Sequence, residues 1–107
     1  MILRKAGDIG YYSGDEKEGL MEEEIGLITH YFAKVNVGIL EMTKGTLSIG
    51  DTIHVKGHST DFYQNLESMQ MDHSPVETVK SGDIVGLKVD HTVREKDLVF
   101  KVKKELI

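Results

Sequence analysis

The sequence predicts an all-β domain: a small closed six-stranded β-barrel over residues 25–107. Three observations carry that expectation. Short runs rich in Val, Ile, Phe and Tyr alternate with clusters of Gly, Asp, Asn and Ser. Within several runs apolar and polar residues alternate, giving a strand one buried and one wet face. Six such runs leave room only for short connections, and closure removes the exposed edges that a small sheet must otherwise protect.

The expected strands are Glu24–Phe32, Val35–Met42, Thr52–Lys56, Phe62–Met71, Ile84–Val89 and Leu98–Val102. In the third, Ile53 and Val55 should face the core and Thr52, His54 and Lys56 the solvent. In the fourth, Phe62, Gln64 and Leu66 share one parity while Met69 and Met71 share the other. Two readings stay open there: a bulge near Glu67–Ser68 that swaps the faces, or methionines covering a rim. Pro75, the only proline, would spoil a central strand and instead marks a turn before Ser81. In the sixth, Leu98, Phe100 and Val102 should face in and Lys101 out.

Residues 1–24 read differently. Gly7, Gly10, Gly14 and Gly19 interrupt them, and no period of two or 3.6 survives. Seven acids stand against three bases there, so most of the net charge of −5 belongs to this segment. It is expected to be an acidic, disordered tail, with Met21 a candidate alternative start and residues 1–20 dispensable. The nearly neutral remainder disfavours a broad electrostatic grip on nucleic acid. The 107 residues contain no cysteine, which excludes disulfides and thiolate chemistry and fits a cytoplasmic location. Neither a signal-peptide apolar region nor a membrane-length apolar run is visible.

Three segments share a form: Ser48–Lys56 (SIGDTIHVK), Ser81–Val89 (SGDIVGLKV) and Arg94–Val102 (REKDLVFKV). In each, an Asp opens a strand. A Gly at the third position of a type II turn supplies positive φ. The Asp beside it can bond nearby backbone N–H groups. The device needs no ligand. The third copy has Lys96 in place of Gly, so a positive φ there would carry strain.

These segments also carry a family resemblance. Ile25-Gly-Leu-Ile28, Val37-Gly-Ile-Leu40, Gly45–Ile53, Leu66–Met69, Ser81–Lys88 and Val93–Val99 together resemble the second domain of translational GTPases such as elongation factor Tu. Thr29–Phe32, Gly57–Phe62 and Glu67–Gln70 resemble small stand-alone translation elongation factor-like proteins. The pattern is also similar to the C-terminal domain of U32-type peptidases. The first resemblance implies a translation-factor barrel that binds tRNA or another RNA 3′ end, through Glu67, Gly82, Asp83, Val85 and Gly86. Gln70 and Met71 depart from it, standing where that family tends to be basic. The alternative is a protein–protein docking barrel serving a larger enzyme such as a U32-type peptidase. No G-x-x-x-x-G-K-[ST] phosphate loop is present, so GTP binding is not expected.

No catalytic constellation emerges, and the expectation is a binding module rather than an enzyme. His54 and His58, with Asp61, could form a metal site only if a turn at Gly57 brought them together; solvated surface histidine is the default, and no metal or cofactor is expected. The polar loop around His58, Asp61, Phe62 and Tyr63 is a contact loop, its aromatics free either to stack on a base or to plug one end of the barrel. Lys101–Lys104 reads as a solvated strand end.

Overall fold

The computed structural model describes residues 18–106, and side chains from 21 to 103. Ten strands follow in order: β1 (Glu18–Phe32), β2 (Val37–Met42), β3 (Thr46–Ser48), β4 (Thr52–Lys56), β5 (Asp61–Asn65), β6 (Met69–Met71), β7 (Ser74–Pro75), β8 (Thr78–Lys80), β9 (Ile84–Lys88) and β10 (Leu98–Leu106). No helix occurs among the described residues, so none there could cross a membrane. The all-β class is thus what the structure has.

The architecture is finer than six strands. Eight form one sheet in the order β5-β4-β10-β1-β2-β9-β6-β7, and β3 and β8 form a separate ribbon. The sheet is not closed by hydrogen bonds: β5 and β6 lie toward opposite ends of the ladder and do not pair. Only Leu66, Glu67 and Ser68 join them, a link of at most ~14 Å, so the sheet must curl. Where a barrel would close, a side chain bridges instead. Buried Gln64 donates from Nε2 to the carbonyl of Lys88 (3.0 Å) and accepts at Oε1 from the Asp90 N–H (2.8 Å). Short strands and that three-residue corner explain why the expected ladder does not close.

β1 joins the two halves of the sheet. It pairs antiparallel with β10 on one side and β2 on the other. Its register shifts at Glu24/Gly26 against β10 and at Ile28/His30 against β2. Such bulges bend a strand and increase its twist. At Gly26 the chains approach so closely that a Cβ would stand 2.2 Å from the Glu41 carbonyl oxygen. β1 also extends back to Glu18, pairing Met21 with Lys103 and Glu22 with Val102. Strand therefore occupies residues 18–24, which read as tail in the sequence; residues 1–17 lie outside the described part.

The core is aliphatic: Ile25, Ile28, Leu40, Leu47, Ile53, Val55, Leu87 and Val99 are fully buried. Ile53 and Val55 face in as expected. Two expectations fail. Val99 is the core residue of β10, while Leu98, Phe100 and Val102 are only half-buried. The register decides this: Val99 pairs with Val55, and directly opposed residues share a face. His54 does point away from Val55, yet it is buried rather than solvated. The fourth run breaks at Leu66–Ser68, and the break swaps parity, leaving Gln64, Leu66 and Met69 buried.

The three Asp-led turns share one geometry. Asp51 Oδ2 accepts from the Ser48 N–H (2.8 Å), Asp83 Oδ2 from Lys80 (2.9 Å) and Asp97 Oδ2 from Arg94 (2.8 Å). In each, the Asp N–H returns to the carbonyl of the same residue, closing a four-residue turn. The third positions have φ of 97° at Gly50, 97° at Gly82 and 75° at Lys96. These are type II turns, and Lys96 takes the left-handed conformation that glycine takes in the other two.

Candidate functional site

Two surface regions hold nearly all the residues singled out in the sequence. The first lies over β2, β9 and β6. In β2, Gly38, Leu40 and Met42 point into the core, so Val37, Ile39 and Glu41 take the outer face. In β9, Val85 and Leu87 point inward, leaving Ile84, Gly86 and Lys88 outside. The outer face should be polar in a sheet with one wet side. Here it is apolar. Phe32, Val35 and Ile84 are each more than half exposed. With Val37, Ile39, Val85, Gly86, Gln70, Asp72 and His73 they line an open groove of about 580 Å³. A smaller hollow continues past Gly86 to Ser68 and Lys88.

Gly86 sets the depth of this groove. A Cβ there would come 3.3 Å from Val37 Cγ1 and 3.7 Å from Ile39 Cδ1. The missing side chain leaves a notch beside two half-buried aliphatic residues. Of the expected binding residues, Gly86 and Val85 reach the groove, although Val85 is only 1% exposed and belongs mainly to the core. Gly82 and Asp83 form the turn leading into β9, and the Asp83 carboxylate is occupied by the Lys80 N–H. Glu67 is exposed on the β5–β6 connection and does not line the groove. The structure therefore gathers this set along β9 and separates Glu67 from it.

The second region lies over β1, β4, β10 and β5. His54 Nδ1 is 2.7 Å from Glu22 Oε1, and Nε2 is 2.5 Å from Asp61 Oδ1. Tyr63 stacks on the imidazole at 4.0 Å between centroids and donates its hydroxyl to Glu22 Oε2 at 2.5 Å. Phe100 packs obliquely against the ring. Burial favours a neutral His54, but the hydrogen bonds and charges of Glu22 and Asp61 outweigh it and raise the pKa. Burial likewise opposes ionisation of Glu22, while bonds to His54 and Tyr63 and the charges of His54 and Lys56 lower its pKa. The bond to Glu22, then burial, push Tyr63 up to about 12.

This cluster resembles a catalytic relay in composition but lacks its working end. Both ring nitrogens are bound to carboxylates, so none is available to a substrate. The two carboxylates also sit on opposite edges of the ring. Among the described residues no group of three or more His, Asp and Glu converges as metal ligands. The turn at Gly57 does bring Asp61 to His54, while exposed His58 takes no part. Phe62 is half-buried against the core, its ring edge-on to His91 at 4.8 Å. Glu22 was missed in the sequence because it sits in the presumed tail. A strand extended back to Glu18 is the signal that would have found it.

Comparison with known proteins bears on the family. No family model matches the chain. It is 39% identical over 98% of its length to an uncharacterized protease of Methanocaldococcus jannaschii, and 28% identical over 75% of its length to a collagenase of Porphyromonas gingivalis. The chain spans 29% and 22% of those proteins, under a third of each. Among solved structures, the C-terminal domain of a Geobacillus thermoleovorans protein described as a U32 peptidase superposes with a TM-score of 0.69. That match covers 74% of this chain and 91% of the domain at 18% identity, a likeness of fold. These relatives overturn the translation elongation factor assignment: the sequences that match are those of a protease and collagenases. Of the two similarities carried by the same motifs, the one to U32-type C-terminal domains is the one the comparisons support.

Proposed function

We propose that the chain is a non-catalytic docking domain of a U32-type peptidase, and that the apolar groove beside Gly86 receives the remainder of that enzyme. The observation that carries this reading is the groove. Three of the large apolar side chains most exposed among the described residues, Phe32, Val35 and Ile84, line this one hollow. Clustering of that kind marks an interaction surface, whereas single exposed apolar residues are ordinary. The comparisons support one occupant. The matching relatives devote over two thirds of their length to other polypeptide, and the matching solved domain is a C-terminal one. That other polypeptide is the partner of stated chemistry: the peptidase portion, presenting an apolar segment. The non-catalytic part rests on His54, whose nitrogens are both committed to carboxylates.

A tagged chain expressed in its own organism should co-purify with a U32-type peptidase, recognised by mass spectrometry. Ile84→Lys should abolish that capture and change folding stability by less than ~0.5 kcal/mol, as expected at an exposed site. The purified chain alone should leave gelatin and casein intact. Capture that persists in both Ile84→Lys and Val35→Lys, co-purification with RNA and no peptidase, or hydrolysis by the isolated chain would each overturn the reading.

A further inference from the structure

The cluster around His54 ties β4 and its ladder partner β5 to β1, which the backbone ladder separates from them by β10. Glu22 stands on β1 and His54 on β4, with β10 between them; Asp61 and Tyr63 stand on β5, at the end of the described sheet, whose ladder partner there is β4. The ring is therefore a cross-tie from an inner strand to an edge strand. Its bonding fixes its proton count. Glu22, held ionised, offers only acceptor oxygens to Nδ1, and it already accepts the Tyr63 hydroxyl. Asp61, with 64% of its side chain exposed, presents a carboxylate oxygen to Nε2. Both nitrogens must donate for both contacts to be attractive, and only the imidazolium has two N–H groups. A neutral ring would turn a lone pair toward one carboxylate at hydrogen-bonding distance.

We infer that protonated His54 is a clasp holding the edge strand β5 to β1, and that losing one ring proton opens it on the Asp61 side. Asp61 is the partner that lets go, because its side chain is mostly in solvent. Glu22 is only 25% exposed and is held by Tyr63 as well. The groups facing the ring are few. β1 supplies Glu22; β5 supplies Asp61 and Tyr63; Lys56, on the same strand as His54, acts through Glu22; β10 supplies the uncharged ring of Phe100. Among the described side chains nothing cationic binds the imidazole directly. Opening leaves Tyr63 still donating to Glu22 and β5 still paired with β4, so it loosens the edge strand without releasing it. This inference needs no peptidase partner, but it shares His54 with the non-catalytic part of the proposed function, and the titration below tests it apart from that reading.

Nitrogen-detected NMR of the imidazole in the intact chain tests it directly. Below the transition His54 should show two protonated nitrogens, with its midpoint above the ordinary histidine value of 6.5. Amide protection factors across Asp61–Asn65 should fall at that same midpoint, while those of β2 and β9 stay level. Asp61→Asn should lower the midpoint by ~1 pH unit, the loss of one adjacent opposite charge. A ring that titrates at 6.5 or below, or β5 protection that ignores the titration, overturns the clasp. The wild-type titration decides this even if Asp61→Asn fails to fold.

Discussion

Around β4 and β5, the polar side chains of Glu22, His54, Asp61 and Tyr63 use their bonding capacity on one another. Around β2 and β9, Phe32, Val35 and Ile84 stand exposed beside a glycine notch. These are two halves of one sheet, built on the same alternation and led by the same turns. Gly50–Asp51 opens β4 and Gly82–Asp83 opens β9, with matching φ and matching carboxylate-to-amide bonds. The inner faces merge into one aliphatic core. What distinguishes the halves is the outer face. One is internally satisfied and needs no partner. The other leaves apolar surface that folding alone does not bury.

The sharpest way to break the comparison is to separate the halves at their seam. Gly26 lies where β1 meets β2, and a methyl there would collide with the Glu41 carbonyl oxygen and stand 2.9 Å from Leu40 Cδ1. Backbone cannot yield as a flexible side chain does. Gly26→Ala should destabilise the domain by about 3 kcal/mol, the upper end of overpacking costs. Urea unfolding followed by circular dichroism reads it directly. A change below ~0.5 kcal/mol would mean the seam relaxes freely and the halves are less coupled than their packing indicates.

A second perturbation touches one half only. His54 has a raised pKa when folded, so its contribution is fully present below 6.5 and is lost as pH rises through the folded value. Glu22 has a lowered one, so its contribution is present above 4.5 and is lost as pH falls through its folded value. Stability should be greatest between those two ordinary values and decline on both sides, by about 2 kcal/mol in all, the scale of hydrogen bonds to charged groups. Tyr63, pushed up to about 12, stays protonated throughout. Urea midpoints from pH 3 to 10 should trace this profile. His54→Leu should flatten the alkaline limb, and Ile84→Lys should leave the profile unchanged.

How far each half was legible in sequence follows from the range of its interactions. Turns are local, so Gly50–Asp51, Gly82–Asp83 and even the strained Lys96 could be read from three or four residues. The parity break between Leu66 and Met69 was visible because a period of two exposes a one-residue insertion. β10 misled because apolar residues occupy both parities, and only the pairing of Val99 with Val55 chooses between them. His54 was legible as outward-facing but not as buried, since its cover comes from Glu22, 32 residues away, and from Tyr63 and Phe100. Gln64 looked like an ordinary member of a strand. Its bonds to Lys88 and Asp90 depend on how the sheet curls. The groove was half visible: the motif around Gly86 drew attention, but Phe32 and Val35 join it only through the pairing of β2 with β9.

The smallest effect bears on the premise that both halves rest on the same turn. The three turns differ in one respect: Lys96 holds φ at 75° with a side chain, where Gly50 and Gly82 hold 97° without one. The left-handed region costs a non-glycine residue ~1–2 kcal/mol. Glycine recovers that cost but also gains freedom in the unfolded chain, which returns ~0.5–1 kcal/mol. Lys96→Gly should therefore stabilise the domain by a net of about 0.5 kcal/mol, from the difference of those terms. The Lys96 N–H bonds the Ile28 carbonyl at 2.7 Å, a contact that glycine preserves. Unfolding midpoints of the two proteins, compared at one pH near 6, measure the change. A clear loss of stability would show that the Lys96 side chain contributes to the turn itself. The device leading into β10 would then be of a different kind from those leading into β4 and β9.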